Sequence, residues 1–210
     1  MSNRISVIIQ SHNRSEGLKR ALFSLQMQTF KDFEVVISDD SDDKHQILDV
    51  LNGPAGKGLD IHFRHTEPCG AAQSMREAFD RTRFEYIKIL HDDDWLTPRS
   101  FECQMSALNG NQDTNAVYGR AMICYPNEDK IFFTFAEGAV KIPSSQWVSK
   151  YEVNGIGPVQ SPVTALYRRH QRFRVMWDEF INPNLREAAR KTGAGTDVSL
   201  QVGACQEFCV

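Results

Sequence analysis

The chain has 210 residues, of which 41% are hydrophobic and 24% are charged, and its formal net charge is −3. This length supports one substantial domain with a buried core, and the charge balance gives no electrostatic argument for binding nucleic acid. No stretch approaches the ~20 apolar residues of a membrane-spanning helix, and the N-terminal apolar run is too short for a signal peptide. The five cysteines are scattered without zinc-site spacing and are typical of reduced thiols, so we expect a cytoplasmic protein.

Strand-like and helix-like stretches alternate through the first half of the sequence. Short apolar runs predict four strands, at residues 5–10, 33–38, 61–65 and 85–90. Apolar residues at helical spacing predict a helix after each strand. Strand and helix alternating four times predict an α/β fold, with a mostly parallel sheet and helices on both faces.

The ends of two of these helices can be predicted from their capping residues. Ser41 is expected to be the N-cap of the second helix. Thr97 and Pro98 are expected to open the fourth helix, which then turns Phe101 and Met105 inward.

From about Asn111 the pattern is less regular. Residues 116–125 and 130–135 predict a hairpin, residues 164–169 predict a strand, and "GAGTDVSL" (193–200) is expected to lead into a final helix. Because no repeat, low-complexity tract or linker indicates a second domain, we predict a single domain over residues 1–210 with a regular and an irregular half.

Polar loops follow three of the four predicted strands, namely "QSHNR", "SDDSDD" and "HDDD". Ligands of parallel α/β sheets bind outside the carboxyl ends of the strands, where these loops converge. Carboxylates suit Mg²⁺ or Mn²⁺, which bind through one or two protein carboxylates together with substrate phosphates. The loops therefore predict a cation site for a phosphorylated ligand; the alternative is that the aspartates are solvated or cap the next helix.

The segment "VIIQSHNRSEGLKRALFSLQMQTFKDFEVVISDDSDD" resembles the opening of the family 2 glycosyltransferases, which are inverting enzymes of GT-A fold. The matching parts are Ser11-His12-Asn13, the "SLQMQT" helix end, Phe33-Glu34 and Asp39-Asp40-Ser41-Asp42. "EYIKILHDDDWLTP" is similar to the segment that carries the DxD metal motif of the family. The resemblance is dense over residues 5–98 and thin thereafter, and it implies a nucleotide-sugar-binding half (1–110) and an acceptor-binding half (111–210).

The resemblance also implies roles for particular residues. Gln10 and Ser11 would line the nucleotide pocket, Asp39 and Asp40 would accept hydrogen bonds from the base, Asp92 would lie near the ribose and diphosphate, and Asp93 would ligate Mn²⁺ or Mg²⁺. The sequence departs from the family in two places. His91 stands where the first aspartate of the DxD motif is usual, and Met75-Arg76 replace an Arg-Asn pair in the third helix.

Inverting transfer needs a general base that takes the proton of the acceptor hydroxyl. In the family this base is a carboxylate of the second half, and Asp197 in "GAGTDVSL" matches it; Glu187 and Asp178 are weaker matches. The alternative is a helix first-turn aspartate capped by Thr196. The sequence ends soon after Asp197, where relatives usually continue, so we expect a shortened chain or a compact version.

The leading hypothesis is transfer of a sugar from a nucleotide-diphosphate sugar, with UDP as the expected nucleotide, to a saccharide or lipid-linked acceptor. This fits polysaccharide or glycolipid synthesis at the inner face of the membrane, with peripheral contact. Two alternatives stay open: a non-catalytic nucleotide-sugar-binding module, and a receiver-type signalling domain, which also places an acidic pair and a later aspartate at strand ends. Dinucleotide oxidoreductases and P-loop enzymes are disfavoured because their glycine-rich motifs are absent.

Overall fold

The computed structural model describes residues 3–119, 121–125, 128–132, 140–142, 164–169 and 200–202. Its first half alternates strands and helices as β1 Ile5–Ser11, α1 Ser15–Gln26, β2 Phe33–Asp39, α2 Lys44–Asn52, β3 Ile61–His65, α3 Ala71–Arg81, β4 Tyr86–Ile89 and α4 Ser100–Asn109. The later strands are β5 Ala116–Tyr118, β6 Ala121–Tyr125, β7 Glu128–Phe132, β8 Val140–Ile142, β9 Ala165–Arg168 and β10 Leu200–Val202.

Eight strands form the main sheet in the order β3-β2-β1-β4-β9-β5-β10-β8. The block β3-β2-β1-β4 is parallel throughout, and β9 joins it to β5 by antiparallel pairing on both sides. β10 runs parallel to β5 and antiparallel to β8. The predicted α/β fold with a mostly parallel sheet is therefore confirmed. The hairpin predicted over residues 116–125 and 130–135 is confirmed in part: β6 and β7 form a separate pair, but residues 116–118 form β5 of the main sheet.

Helices cover both faces of the parallel block because each helix turns its apolar stripe toward the sheet. One face carries α1, α2 and α4, whose buried residues include Leu22, Ile47 and Phe101. The other face carries α3, with Met75 and Phe79 buried against the sheet. β1, β2 and β4 are buried on both faces, which is why their sequences are continuous apolar runs.

Four local expectations were wrong. The N-cap of α2 is Asp43, whose side chain accepts from the His45 backbone N–H at 2.9 Å, because Ser41 instead donates its hydroxyl proton to Asp39. Thr97 and Pro98 form a turn before α4, which begins at Ser100. The residues 200–202 form strand β10 where a helix was expected. Finally, Cys103 is disulfide-bonded, whereas the sequence favoured reduced thiols.

A buried lysine lies in β4, just before the three successive aspartates at residues 92–94, which we call the acidic loop. Lys88 is 1% exposed, and its Nζ donates to Oε1 of Gln104 in α4 at 3.3 Å. Gln104 in turn donates to the carbonyl oxygens of Val117 and Thr164, so it ties α4 to β5 and to the start of β9. Burial lowers the pKa of Lys88 to about 7, against the opposing charge of Asp94.

Within the described part of the chain, no helix has the length and apolar character needed to cross a bilayer.

Candidate active site

The loops after β1, β2 and β4 meet at one edge of the sheet, which we call the carboxyl edge. β1 pairs with β2 through Ser11 and Asp39, and the next residue, Asp40, donates its backbone N–H to the Ser11 carbonyl at 3.2 Å. On the other side of β1, Leu90 donates its backbone N–H to the carbonyl of Ile8 at 2.9 Å. The parallel pairing thus brings two acidic loops, distant in sequence, to the same place.

Asp39 is fully buried and makes contacts only inside the protein among the described residues. Its Oδ1 accepts from the Ser41 hydroxyl at 2.5 Å, and its Oδ2 lies 2.7 Å from Nδ1 of His65 at the end of β3. The Ser41 oxygen also accepts from the backbone N–H of Asn13 at 2.7 Å. Asp39 therefore holds the loops after β1, β2 and β3 together.

Asp40, the next residue, is 2% exposed and links the site to the start of α3. Its Oδ2 accepts from the backbone N–H groups of Cys69 and Gly70 at 3.2 and 3.0 Å. Its Oδ1 and its carbonyl oxygen lie 3.1 and 2.9 Å from Nδ1 of His12. The hydrogen bond to the Asp40 carbonyl, together with the nearby carboxylate, raises the pKa of His12. Asp40 and His12 therefore place hydrogen-bonding groups next to each other at the carboxyl edge.

The three successive aspartates after β4 differ in exposure. Asp92 is 4% exposed, whereas the Asp93 side chain is 51% exposed. One nitrogen of Arg14, Nη1, lies 2.6 Å from Oδ2 of Asp93 and 3.3 Å from Oδ1 of Asp92. The other oxygen of Asp92 accepts from the His12 backbone N–H at 3.4 Å. Two carboxylates from adjacent residues thus converge on one positive charge, which makes the acidic run tolerable.

Burial and repulsion from the neighbouring carboxylates disfavour the charged forms of Asp92 and Asp94. Burial raises the pKa of Asp92, and the charge of Arg14 opposes that effect. Burial also raises the pKa of Asp94, and the neighbouring charge of Asp93 adds to it. A cation at this position therefore stabilises the ionised loop.

The donor atoms at this edge fit a hard divalent cation. Mg²⁺ and Mn²⁺ favour carboxylate oxygens and are held by one or two of them together with waters and phosphates. Oδ1 of Asp92 and Oδ2 of Asp93 both point at the position that Nη1 of Arg14 fills, and the Asp93 side chain is open to solvent. The carboxylate oxygens are therefore of the type that a hard divalent cation prefers, and they face one common position.

A glycine brings α1 against the acidic loop. A Cβ on Gly17 would lie 2.5 Å from the carbonyl oxygen of Asp92, so any larger residue would push the helix and the loop apart. This contact was not predicted from the sequence, although a glycine within the first turn of a helix is itself a signal of close packing. Arg14 and His65 were not predicted either, because their partners at the edge are distant in sequence.

A second group of candidate metal ligands lies at the opposite edge, where the parallel strands begin, which we call the amino edge. Ligand atoms of Glu34, Asp60 and His62 lie within 4.8 Å of one another. However, Glu34 is fully buried and accepts from the Ser6 hydroxyl and from the backbone and Nε of Arg83, at 2.6, 2.8 and 2.5 Å. Burial alone would raise the pKa of Glu34, but these hydrogen bonds lower it. Arg83 already pairs with Glu34 and Asp60, so the cluster contains its own counter-charge.

The remaining predicted residues lie as follows. Gln10 is half-buried in β1 beside Ser38, and Ser11 is buried at the end of the same strand. Asp197, like Glu187 and Asp178, lies outside the described residues. The carboxyl edge thus brings together Ser11, Asp39, Asp40, Asp92 and Asp93.

Comparison with solved structures shows the same fold. By structure, the chain is similar to the S. aureus protein TarS (residues 1–349) in complex with UDP-GlcNAc, with a TM-score of 0.64, 18% identity, and coverage of 98% of this chain and 60% of TarS. At that identity the likeness shows the fold alone, which is the GT-A fold predicted from the sequence.

By sequence, the chain is 28% identical over 122 residues to a Campylobacter jejuni GalNAc(5)-diNAcBac-PP-undecaprenol beta-1,3-glucosyltransferase. The matched region covers 57% of this chain and 38% of that relative. It is 31% identical over 93 residues to the amylovoran biosynthesis glycosyltransferase AmsB of Erwinia amylovora, covering 43% of this chain and 31% of AmsB. The chain thus spans well under half the length of these relatives.

The profile described as "Glycosyl transferase family 2" matches residues 6–173, which include the carboxyl edge and most of the chain. This match agrees with the names of the relatives and replaces the receiver-type alternative. The chain belongs to glycosyl transferase family 2.

Proposed function

We propose that this chain transfers a sugar from a UDP-linked donor to a hydroxyl acceptor with inversion at the anomeric carbon. The observation that carries the proposal is the convergence of Asp40, Asp92 and Asp93 on His12 and Arg14 at the carboxyl edge. An edge with buried hydrogen-bond acceptors and an exposed carboxylate suits a ligand that has a polar base at one end and a diphosphate at the other. The UDP-GlcNAc complex of TarS, which shares the fold, supports uridine as the base.

The nucleotide is assigned to residues 1–110, and the acceptor to residues 111–210. Asp40 is the base-binding carboxylate; its Oδ2 now accepts from Cys69 and Gly70, so those backbone groups move or share it when a base binds. Asp39 keeps Asp40 in place through Ser41 and His65. Gln10 and Ser11 line the floor of the pocket at the end of β1.

The diphosphate lies over the acidic loop. Asp93, the exposed member, is the metal ligand, and the buried Asp92 lies beside the ribose and diphosphate. A bound Mn²⁺ or Mg²⁺ supplies Lewis-acid stabilisation of the leaving nucleoside diphosphate. The chain itself orients the Asp92 carboxylate through the His12 backbone N–H and positions the loop through the packing of Gly17 on the Asp92 backbone carbonyl.

The general base is assigned to Asp197, which matches the family's carboxylate of the acceptor half. It takes the proton of the acceptor hydroxyl as the oxygen attacks the anomeric carbon. Asp197→Asn should abolish transfer and leave donor binding unchanged; loss of donor binding in that variant would contradict the assignment.

The acceptor is proposed to be a saccharide or a lipid-linked saccharide. The names of the Campylobacter jejuni and Erwinia amylovora relatives support a role in assembling lipid-linked or polymeric glycans. We place the reaction in the cytoplasm, with peripheral contact at the inner face of the membrane, where such acceptors present their hydroxyl groups.

A donor screen tests the proposal. Thermal unfolding is measured with UDP-, GDP- and dTDP-sugars, each with and without Mn²⁺. A ligand at ~100 times its dissociation constant stabilises the folded state by roughly 2.7 kcal/mol, so one nucleotide should raise the unfolding temperature in a metal-dependent way. The same mixtures are assayed for slow release of UDP.

Asp40→Asn serves as the variant for the base and should remove most of the UDP-dependent shift. No shift with any nucleotide would contradict the proposal. Binding without UDP release or transfer to any acceptor would favour the non-catalytic binding module.

A further inference from the structure

A positive charge already occupies the position between the carboxylates of Asp92 and Asp93. Nη1 of Arg14 lies 2.6 Å from one oxygen and 3.3 Å from the other, so the two carboxylates share a single guanidinium nitrogen. Arg14 stands at the N-cap of α1, and its side chain is 56% exposed. More than half of the side chain is thus in contact with solvent, where it could turn away from the carboxylates.

We propose that Arg14 is the built-in counter-ion of the acidic loop and that the divalent ion takes its place. This inference rests on the proposed function, since it concerns the same metal site. Arginine is always protonated, so the positive charge is present at every working pH. A guanidinium nitrogen and a divalent ion cannot occupy one position between the same two oxygens, because both the distances and the charges forbid it.

Electrostatics explains why such a residue is needed. Asp92, Asp93 and Asp94 follow one another in the sequence, and the first of them is buried. Without a cation, the charged loop would repel itself in a partly buried place. The amino edge uses the same solution in permanent form, since Arg83 neutralises Glu34 and Asp60 there. At the carboxyl edge Arg14 reaches both carboxylates through one nitrogen, at 2.6 and 3.3 Å, and its side chain is 56% exposed, so a divalent ion can displace it.

The exchange has two opposite consequences for a variant that lacks the guanidinium. In EDTA, Arg14→Gln leaves the carboxylates without a counter-ion, so its unfolding temperature should be lower than that of the wild type. With Mn²⁺, the ion no longer competes with Arg14 and should bind more tightly. A loss of ~1 kcal/mol of competition corresponds to roughly fivefold in the dissociation constant. The increase of the unfolding temperature on adding Mn²⁺ should therefore be larger in the variant.

The test is a titration of the full chain with Mn²⁺ alone. Electron paramagnetic resonance of the free ion measures the unbound Mn²⁺ at each step and gives the dissociation constant. Arg14→Gln should lower the dissociation constant about twofold to fivefold. Arg14→Lys, which keeps the charge but loses the planar guanidinium, should lie between it and the wild type. Lys19→Gln removes the same charge from an exposed position on the same helix and should leave the constant unchanged.

The results for Asp93→Asn and Arg14→Gln together show whether the metal site or only the exchange with Arg14 is wrong. If Asp93→Asn abolishes Mn²⁺ binding while Arg14→Gln binds as the wild type does, the metal site stands and the exchange is refuted. Equal tightening in Lys19→Gln would assign the effect to overall charge and would also refute it. If Asp93→Asn binds Mn²⁺ like the wild type, the proposed metal ligand is wrong, and the exchange fails with it.

Discussion

The two edges of the parallel block solve the same electrostatic problem in different ways. At the amino edge, Glu34 is buried and accepts three hydrogen bonds, two of them from Arg83. At the carboxyl edge, Arg14 holds two carboxylates through one nitrogen, and one of these carboxylates is half-exposed. Both edges gather a buried and a half-exposed carboxylate around an arginine. They differ in how the buried carboxylate is held, because Glu34 accepts hydrogen bonds from Arg83 at 2.8 and 2.5 Å, whereas Nη1 of Arg14 lies 3.3 Å from Asp92.

The difference shows how to distinguish a structural ion cluster from a ligand site. The amino edge has the tighter group of potential metal ligands, yet the lone pairs of Glu34 are already used inside the protein. A buried carboxylate with all its partners in place stabilises the fold and has little capacity left for a ligand. For a metal ligand, an accessible and incompletely satisfied carboxylate such as Asp93 is the better indicator.

The largest effect is expected from Asp93→Asn. Turnover of the donor should fall by roughly 100-fold or more, because the developing charge on the leaving diphosphate loses its stabilisation. The unfolding temperature should change little, because the side chain is 51% exposed. The rate of UDP release with Mn²⁺ is the measurement, and Asp49→Asn on the exposed surface of α2 is the control. Turnover within twofold of the wild type would remove Asp93 from the site.

The matching change at the amino edge is Glu34→Gln, which should damage stability and spare activity. The free energy of unfolding at pH 7 should fall by about 1–3 kcal/mol, because the amide cannot satisfy both the Ser6 hydroxyl and Arg83. Donor turnover per folded molecule should be unchanged. Chemical denaturation measures the loss, and Glu16→Gln, at an exposed position, is the control.

The pH dependence of this loss follows from the direction of the pKa shift. The folded state lowers the pKa of Glu34 from 4.5, so its stabilisation is complete above that value and is lost as pH falls through the folded pKa. The deficit of Glu34→Gln should therefore shrink in acid. A deficit that stays constant down to acid pH would contradict this account of the amino edge.

Gly17→Ala tests the close contact between α1 and the acidic loop. The new Cβ would meet the Asp92 carbonyl oxygen at 2.5 Å, so α1 must move away from the acidic loop. We expect a loss of about 1–3 kcal/mol in stability together with weaker Mn²⁺ binding. Gly110→Ala, whose Cβ would lie 3.4 Å from its nearest neighbour, is the matched control and should bind Mn²⁺ normally. Unchanged stability in Gly17→Ala would show that the contact is not needed.

The smallest effect is expected from Lys88→Met, beneath the acidic loop. Burial lowers the pKa of Lys88 from 10.5 to about 7, so the folded state bears the cost of a buried charge below pH 7. Between pH 7 and 10.5 the unfolded chain holds more protons, and wild-type stability rises with pH. The variant should be more stable by about 1–2 kcal/mol at pH 6, after allowing for the lost bond to Gln104. Denaturation at pH 6 and pH 9 should show this gain shrinking; a gain independent of pH would contradict the shifted pKa.

Local patterns predicted the elements of the first half because each buried face repeats within a few residues. The continuous apolar runs of β1, β2 and β4 and the stripe of α1 are examples. The meeting of Asp40 with the aspartates after β4 was also predictable, since parallel pairing forces it.

What the sequence did not reveal depends on contacts between distant residues. Ser41 was expected to cap α2, but the buried Asp39 takes its hydroxyl, and Asp43 becomes the cap instead. Arg14 could not be matched with Asp92 and Asp93 because its side chain reaches across from another loop. Capping and counter-ion choices of this kind are decided by tertiary packing, which local spacing does not encode.

The most direct measurement is a crystal structure of the full chain with UDP and Mn²⁺, in which the anomalous signal of manganese locates the ion. We predict manganese bound to Asp93 between the acidic loop and the diphosphate, the base against Asp40, and Arg14 turned away from both carboxylates. Manganese bound among Glu34, Asp60 and His62, or UDP away from the carboxyl edge, would contradict the account.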